Sequence, residues 1–90
     1  FLKTTSYLVR KNNDAISSTA NSRNSTNAAL TNTVADMYRE VELDITSATG
    51  QINSTSVSPG DIIKVELFRG SDTDTADIRF LPSATEVKIA

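Results

Sequence analysis

The sequence predicts a small all-β domain, an antiparallel β-sandwich of the jelly-roll type. Three observations predict this fold. Apolar and polar residues alternate along residues 37–45 and 62–69, which is the pattern of strands that bury one face. Short stretches of this kind recur about every eight to twelve residues, with turn-forming residues between them. The length of 90 residues fits a single domain, and the chain contains no internal repeat or domain boundary.

The first predicted strand covers Leu2–Arg10, which is rich in β-branched and aromatic residues and has no helix cap. Residues 11–27 are almost entirely Asn, Ser, Thr, Asp and Ala, with a lone Ile16. Such polar side chains hydrogen-bond their own backbone and favour turns, so we predict an exposed polar loop at 11–27. A short helix over 28–35 is only weakly favoured.

The clearest strand pattern lies at residues 37–45. One side carries Met37, Arg39, Val41, Leu43 and Ile45, and the other carries Tyr38, Glu40, Glu42 and Asp44. A helix would distribute these carboxylates around its circumference, whereas a strand gathers them on one wet face. Arg39 is the exception on the apolar side, and we expect its charged end to reach water at the sheet edge.

Two turns flank a short piece at 51–53. The second turn is Ser58-Pro59-Gly60-Asp61, in which Pro presets φ and Gly accepts a positive φ, as a type II turn requires. The strand predicted at 62–69 follows it. Its two sides carry Ile63, Val65 and Leu67 on one face and Lys64, Glu66 and Phe68 on the other.

The last third of the chain predicts a loop at 70–75 and strands at 76–81 and 84–89, separated by Pro82-Ser83. Together with the strands at 37–45 and 62–69, these build the predicted sheet. The predicted core consists of Met37, Val41, Leu43, Ile45, Ile63, Val65, Leu67, Ile78, Phe80 and Val87.

Composition excludes several functional classes. The chain has no Cys and no His, so it lacks disulfides, thiolate chemistry, the commonest general base and the commonest zinc ligand. Its formal charge of −2, with both signs interspersed, argues against nucleic acid as a partner. No apolar stretch approaches the ~20 residues of a membrane span, and no signal peptide is recognisable.

The chain is expected to depend on a partner. Domains this short bury only roughly 60–65% of the surface that their unfolded chain exposes, less than larger domains do, and they usually need disulfides, a metal or another subunit. Since Cys and His are absent, we expect a partner chain. The chain does not begin with Met, which suggests the C-terminal piece of a longer protein.

Two acidic clusters are candidates for chemistry. Asp72-Thr73-Asp74-Thr75-Ala76-Asp77 resembles the start of a calcium loop, but the required Gly at its sixth position is missing. A solvated loop is the better interpretation. Glu40, Glu42 and Asp44 lie at spacings that glycosidases use, yet the chain has no Trp to stack a sugar. We therefore expect a solvated face or cross-strand pairing with Lys64, Arg79 or Lys88. No catalytic residue, metal or cofactor is expected.

Tyr38 and Phe68 are the candidate interface residues, because both fall on the sides predicted to face outward. Exposed aromatic side chains often anchor contacts between subunits. The alternative is that both faces of the sheet are buried, or that each ring packs against a neighbouring strand. The sequence favours the two interpretations equally.

One stretch resembles a known family. The residues that carry the resemblance are Val41–Ile45, Ile52-Asn53, Val57–Asp61, Ile62–Arg69, the loop Asp72–Asp77 and Phe80–Ile89. In this order they resemble the C-terminal β-sandwich module of virion structural proteins of tailed bacteriophages. The family pattern is a strand, a Gly-Asp turn, a strand similar to Lys64–Arg69, a variable Asp/Thr hairpin and a closing strand.

The resemblance implies a non-enzymatic structural protein of the virion that acts in particle assembly or stabilisation, as a capsid decoration or a tail or fibre module. Such modules are often trimeric, so the resemblance implies a homo-oligomer. It also implies other virion proteins and the host surface as partners. The alternative function is a carbohydrate-binding or host-surface-binding module. We would expect clustered Trp or Tyr for that function, and this composition offers few.

Overall fold

The structure is a computed structural model that describes residues 1–29 and 40–70. In these ranges the chain forms five β-strands and no helix. The strands are β1 (Leu2–Val9), β2 (Ser22–Asn24), β3 (Gln51–Ile52), β4 (Thr55–Ser56) and β5 (Ile62–Arg69). Strands β2, β1 and β5 form one antiparallel sheet with β1 in the centre, and β3 pairs with β4 in a second. The predicted all-β class is confirmed for this part of the chain, while the sandwich remains a prediction.

Strands β1 and β5 pair along their whole length, from Leu2 opposite Arg69 to Val9 opposite Ile62. Directly opposite residues in an antiparallel pair point to the same face of the sheet. We call one face the inner face, and the other the outer face. The inner face carries Thr4, Ser6 and Leu8 of β1 with Ile63, Val65 and Leu67 of β5, and the outer face carries Lys3, Thr5 and Tyr7 with Lys64, Glu66 and Phe68. The strand predicted at 62–69 is confirmed, and so is most of the one predicted at Leu2–Arg10.

Strand β2 lies inside the stretch that the sequence predicts as a polar loop, so the prediction is wrong for Ser22–Asn24. The backbone of β1 provides its hydrogen-bond partners, with Ser22–Asn24 opposite residues 5–7. Side chains reinforce the pairing, because Thr5 Oγ1 donates to Asn24 Oδ1 at 2.7 Å and Thr4 N donates to Ser25 Oγ at 2.9 Å. Tertiary pairing has overridden a local preference for turns, which is common for short edge strands.

The core of the described residues differs from the predicted one. The buried apolar side chains are Leu8, Val9 and Ile52, with exposed fractions of 0%, 5% and 0%. Ile63, Val65 and Leu67 were expected in the core, but they are 37%, 46% and 45% exposed. The physical reason is position in the sheet. Strand β1 has a neighbour on each side, whereas β5 lies at the margin of the described sheet.

The other predicted core residues are half-buried or undescribed. Val41, Leu43 and Ile45 are half-buried, and Met37, Ile78, Phe80 and Val87 lie outside the described residues.

The prediction of a strand at 37–45 is wrong for residues 40–45, which form no strand. Side chains hold this segment to β2 instead. Arg23 donates through Nη1 to the carbonyl oxygen of Asp44 at 3.0 Å and pairs through Nη2 with its carboxylate at 2.6 Å. Alternation indicates which side of a strand would be apolar, but a strand also needs a neighbouring strand to which its backbone can hydrogen-bond. Residues 37–39 lie outside the described residues.

The predicted turn at Ser58–Asp61 is confirmed. Asp61 N donates to the carbonyl oxygen of Ser58 at 3.1 Å, and Gly60 has a φ of 90°. A second tight turn joins β3 to β4 through Asn53 and Ser54, with φ values of 52° and 61°. Positive φ at both central positions is the type I′ geometry of two-residue hairpins.

The predicted strands at 76–81 and 84–89 lie outside the described residues, as does most of the weakly favoured helix at 28–35. The start of that stretch is extended rather than helical, because Ala28 forms a β-bridge with Leu2.

Candidate interaction surface

Strand β5 exposes apolar side chains on both faces. Ile63, Val65 and Leu67 form a row on the inner face, which we call the β5 stripe. On the outer face, Ile62 and Phe68 are 49% and 50% exposed. A cluster of apolar side chains on one strand is the kind of surface that marks a contact with another protein, whereas apolar residues scattered singly need no explanation.

Burial changes sharply between two hydrogen-bonded strands. On the inner face, Thr4, Ser6 and Leu8 of β1 are buried, whereas the β5 stripe beside them is exposed. The central strand therefore carries two hydroxyl groups at positions where a core usually has aliphatic side chains. The hydroxyl oxygens of Thr4 and Ser6 are buried and make no hydrogen bond. Each such group lowers stability, because the oxygen has lost water without gaining a partner.

Phe68, one of the two predicted interface residues, lies at the exposed end of β5 on the outer face. Lys3 Nζ lies 5.1 Å from the centroid of its ring, and the ring of Phe1 is 6.3 Å away and tilted by 49°. Half of the Phe68 side chain remains exposed, so its ring keeps accessible apolar surface. Tyr38, the other predicted interface residue, lies outside the described residues. An interface role for both residues remains a prediction.

The centre of the outer face is polar. Tyr7 Oη donates to Glu66 Oε2 at 3.1 Å, and Lys64 Nζ lies 5.6 Å from the centroid of the Tyr7 ring. The hydrogen bond to Glu66 raises the pKa of the Tyr7 phenol, with smaller contributions from desolvation and the negative charge. This arrangement separates the two apolar ends of the outer face, Ile62 and Phe68.

The three carboxylates considered as a glycosidase-like set do not share a strand face, since residues 40–45 form no strand. Asp44 pairs with Arg23 and accepts a hydrogen bond from Thr26 Oγ1 at 3.2 Å. Partial desolvation alone would raise the pKa of Asp44, but the hydrogen bond from Arg23, with smaller ones from its own backbone and Thr26, keeps it below its ordinary value. Asp44 therefore serves as an anchor for the chain.

A polar groove lies where the start of the 11–27 segment meets the Ser58–Asp61 turn. Arg10 donates to both carboxylate oxygens of Asp14 at 3.1 Å, which lowers the pKa of Asp14 well below its ordinary value of 3.8. Asp61 accepts hydrogen bonds from the backbone N–H groups of Lys11 and Ser58, and these lower its pKa. Both carboxylates are satisfied within the chain, so the groove is a structural junction.

Residues 1–29 and 40–70 contain no group of three or more acidic side chains placed to hold a metal ion. The Asp72–Asp77 stretch lies outside them. The same ranges contain no helix long and apolar enough to cross a membrane. The sequence matches no protein-family model, and neither a curated protein nor a solved structure matches it.

Proposed function

We propose that this chain is a non-enzymatic structural module that works by associating with other protein subunits. The observation that carries the proposal is the exposed β5 stripe of Ile63, Val65 and Leu67, directly beside the buried inner row of β1. An aliphatic row that continues a core outward gains free energy when another protein surface covers it. The module belongs to the virion of a tailed bacteriophage, and the support for this setting is the sequence resemblance.

The energetics favour association over isolated stability. Three buried apolar side chains in the described residues make a small core, and no disulfide reinforces it. Full burial of one aliphatic side chain contributes about 2 kcal/mol, so covering three half-exposed ones adds about 3 kcal/mol. That gain is modest against the cost of association, so a stable interface must extend beyond the stripe.

The association test uses one substitution in the stripe and one outside it. Val65→Lys places a charge in the centre of the stripe, while Ile16→Lys makes a similar apolar-to-charged change at a position that is 64% exposed. Native mass spectrometry and sedimentation velocity measure the subunit number of each variant. We expect wild type and Ile16→Lys to form the same oligomer and Val65→Lys to shift toward monomer. A wild type that is monomeric up to high micromolar concentration contradicts the proposal.

The virion setting has its own test. Purified particles of the phage that encodes the chain should contain it in a fixed ratio to the major structural proteins. Mass spectrometry of the particles detects the tryptic peptide Val65–Arg69, which is bounded by Lys64 and Arg69. A protein that is found in infected cells and is missing from particles would contradict a virion role while leaving the association result intact.

A carbohydrate-binding or host-surface-binding module is the second candidate. The observation that favours it is the half-exposed Phe68 ring on the outer face, beside the Lys3 ammonium group. A single ring offers a weak stacking platform compared with the clustered aromatic residues of sugar sites. Glycan-array binding that Phe68→Ala abolishes, in a protein that still forms its oligomer, would favour this function over pure assembly.

A further inference from the structure

The stretch between β1 and β2, residues 10–21, is fastened to β5 by one side chain. Lys64 Nζ donates hydrogen bonds to the carbonyl oxygens of Ile16 and Ser18, each at 3.0 Å. Lys64 lies on the outer face of β5, directly opposite Tyr7 of β1, and its ammonium group also lies near the Tyr7 ring. A residue far along the chain thus reaches the tip of this loop, at residues 15–18.

We propose that Lys64 is a latch that holds the loop tip at 15–18 in a single conformation on the outer face of the sheet. The ammonium group is suited to this because it has three donors and no acceptor, so it can bridge two carbonyl oxygens at once. Hydrogen bonds from a charged donor are stronger than those between neutral groups. Strand pairing fixes the backbone from which the Lys64 side chain extends.

The loop tip has few other means of staying in place. At the start of the loop, Arg10 forms an ion pair with Asp14, and the N–H of Lys11 donates a hydrogen bond to the Asp61 carboxylate. At its end, the N–H of Leu8 donates to the carbonyl oxygen of Asn21. Between these points, Ile16 is 64% exposed and gives no apolar anchor. Within the described part of the chain, the hydrogen bonds that join residues 15–18 to a strand are those of Lys64.

The latch gives the polar loop a defined shape, although its composition is typical of a mobile segment. A surface that is ordered before it meets a partner loses less conformational entropy on binding. Lys64 thereby holds the backbone of residues 15–18 in a preformed arrangement. This inference goes beyond the proposed association of subunits and does not depend on it.

Hydrogen exchange at single amides tests the latch. The reporter is the N–H of Ser18, which donates to the carbonyl oxygen of Ala15 at 2.9 Å within the loop tip. Lys64→Met keeps the length of the side chain and removes the donors. We expect the Ser18 amide to exchange about tenfold faster in this variant. The loss of a hydrogen bond from a charged donor should make local opening of the loop tip more frequent by about this factor.

Lys3→Met is the matched control, because Lys3 is also an outer-face lysine beside an aromatic ring, that of Phe68. It should leave the exchange of Ser18 unchanged. Amides of the β1–β5 ladder, such as that of Tyr7, report on the stability of the sheet. Unchanged exchange at Ser18 in Lys64→Met overturns the latch. So does an equal acceleration at Ser18 and throughout the ladder, since that result would assign Lys64 to general stability.

Discussion

At the scale of single residues, the loops and turns of this chain are shaped by polar residues. Some of them adopt special backbone conformations, and others accept hydrogen bonds through their side chains. The β3–β4 turn places Asn53 and Ser54 at positive φ, where Asn is tolerated and Ser is strained. The carboxylates of Asp14, Asp44 and Asp61 each organise a loop by accepting hydrogen bonds. These local features yield three predictions.

Ser54→Gly should stabilise the protein by about 0.5–1 kcal/mol, because Gly adopts the left-handed conformation without steric cost and is the preferred second residue of a type I′ turn. Urea denaturation measures the change in the free energy of unfolding. Ser56→Gly is the control, since Ser56 lies in strand β4, where Gly weakens the strand. A destabilised Ser54→Gly variant would show that the Ser54 side chain matters more than its backbone strain.

Stability should fall as the pH drops below about 4. In the folded state the pKa values of Asp14 and Asp61 lie below the ordinary value of 3.8, so the unfolded chain binds protons first as the pH falls. The stabilisation is therefore fully present above that value and is lost progressively through the lowered pKa values. Urea midpoints at pH 7 and pH 3 measure the loss. Asp14→Asn should show a smaller difference between the two midpoints, and an unchanged difference would contradict the assignment to Asp14.

Thr4→Val should be neutral or stabilising by about 1 kcal/mol, because it replaces a buried hydroxyl that makes no hydrogen bond with a methyl group of similar shape. Ser25→Ala is the contrast, since Ser25 Oγ accepts the hydrogen bond of Thr4 N and its loss leaves that buried N–H without this acceptor. Thermal unfolding of both variants measures the difference. A strongly destabilised Thr4→Val variant would indicate that the hydroxyl has a partner in solution.

At the scale of elements, β1 and β5 share one ladder but have different environments. Each was predicted as a strand, and alternation correctly separates the two faces of β5. The same alternation predicted that Ile63, Val65 and Leu67 of β5 belong to the core, whereas the buried apolar side chains of the described residues lie on β1 and β3. Periodicity describes the two sides of a ribbon, and the neighbours on those sides decide which residues are buried.

A pair of leucine substitutions measures this difference. Leu8 is fully buried and Leu67 is 45% exposed. Leu8→Ala should cost about 2–5 kcal/mol in unfolding free energy, as for other buried leucines. Leu67→Ala should cost about 1 kcal/mol, because it removes a side chain that is still partly in water. The measurement is chemical denaturation at a concentration where the protein is monomeric, and equal losses would place Leu67 in the core.

At the scale of the whole molecule, the described residues expose more large apolar side chains than they bury, and the proposed association of subunits would cover part of this exposed surface. The described core holds Leu8, Val9 and Ile52, while β5 exposes five large apolar side chains, Ile62, Ile63, Val65, Leu67 and Phe68. Polar anchors such as the Arg23–Asp44 pair connect the segments between them. Ion pairs of this kind, near the surface, contribute little to the free energy of unfolding. Their main effect is to fix where neighbouring segments lie.

The midpoint of thermal unfolding should therefore rise with protein concentration. Association stabilises the folded state by mass action, so a tenfold increase in concentration raises the melting temperature of an oligomer but not of a monomer. Differential scanning fluorimetry over two or more decades of concentration measures the shift. Val65→Lys should remove the concentration dependence, whereas a melting temperature that is constant for wild type would contradict association.

The amino-acid sequence by itself determined the all-β class of the described residues, strands β1 and β5, and the turn at Ser58–Asp61, because these depend on side-chain alternation and on the φ preferences of Pro and Gly. Only the tertiary structure decided that Ser22–Asn24 would pair with β1, that residues 40–45 would not form a strand, and that the β5 stripe would stay exposed. The physical reason is common to all three. A strand and a core exist through hydrogen bonds and contacts with distant neighbours, and a local pattern does not specify which neighbours arrive.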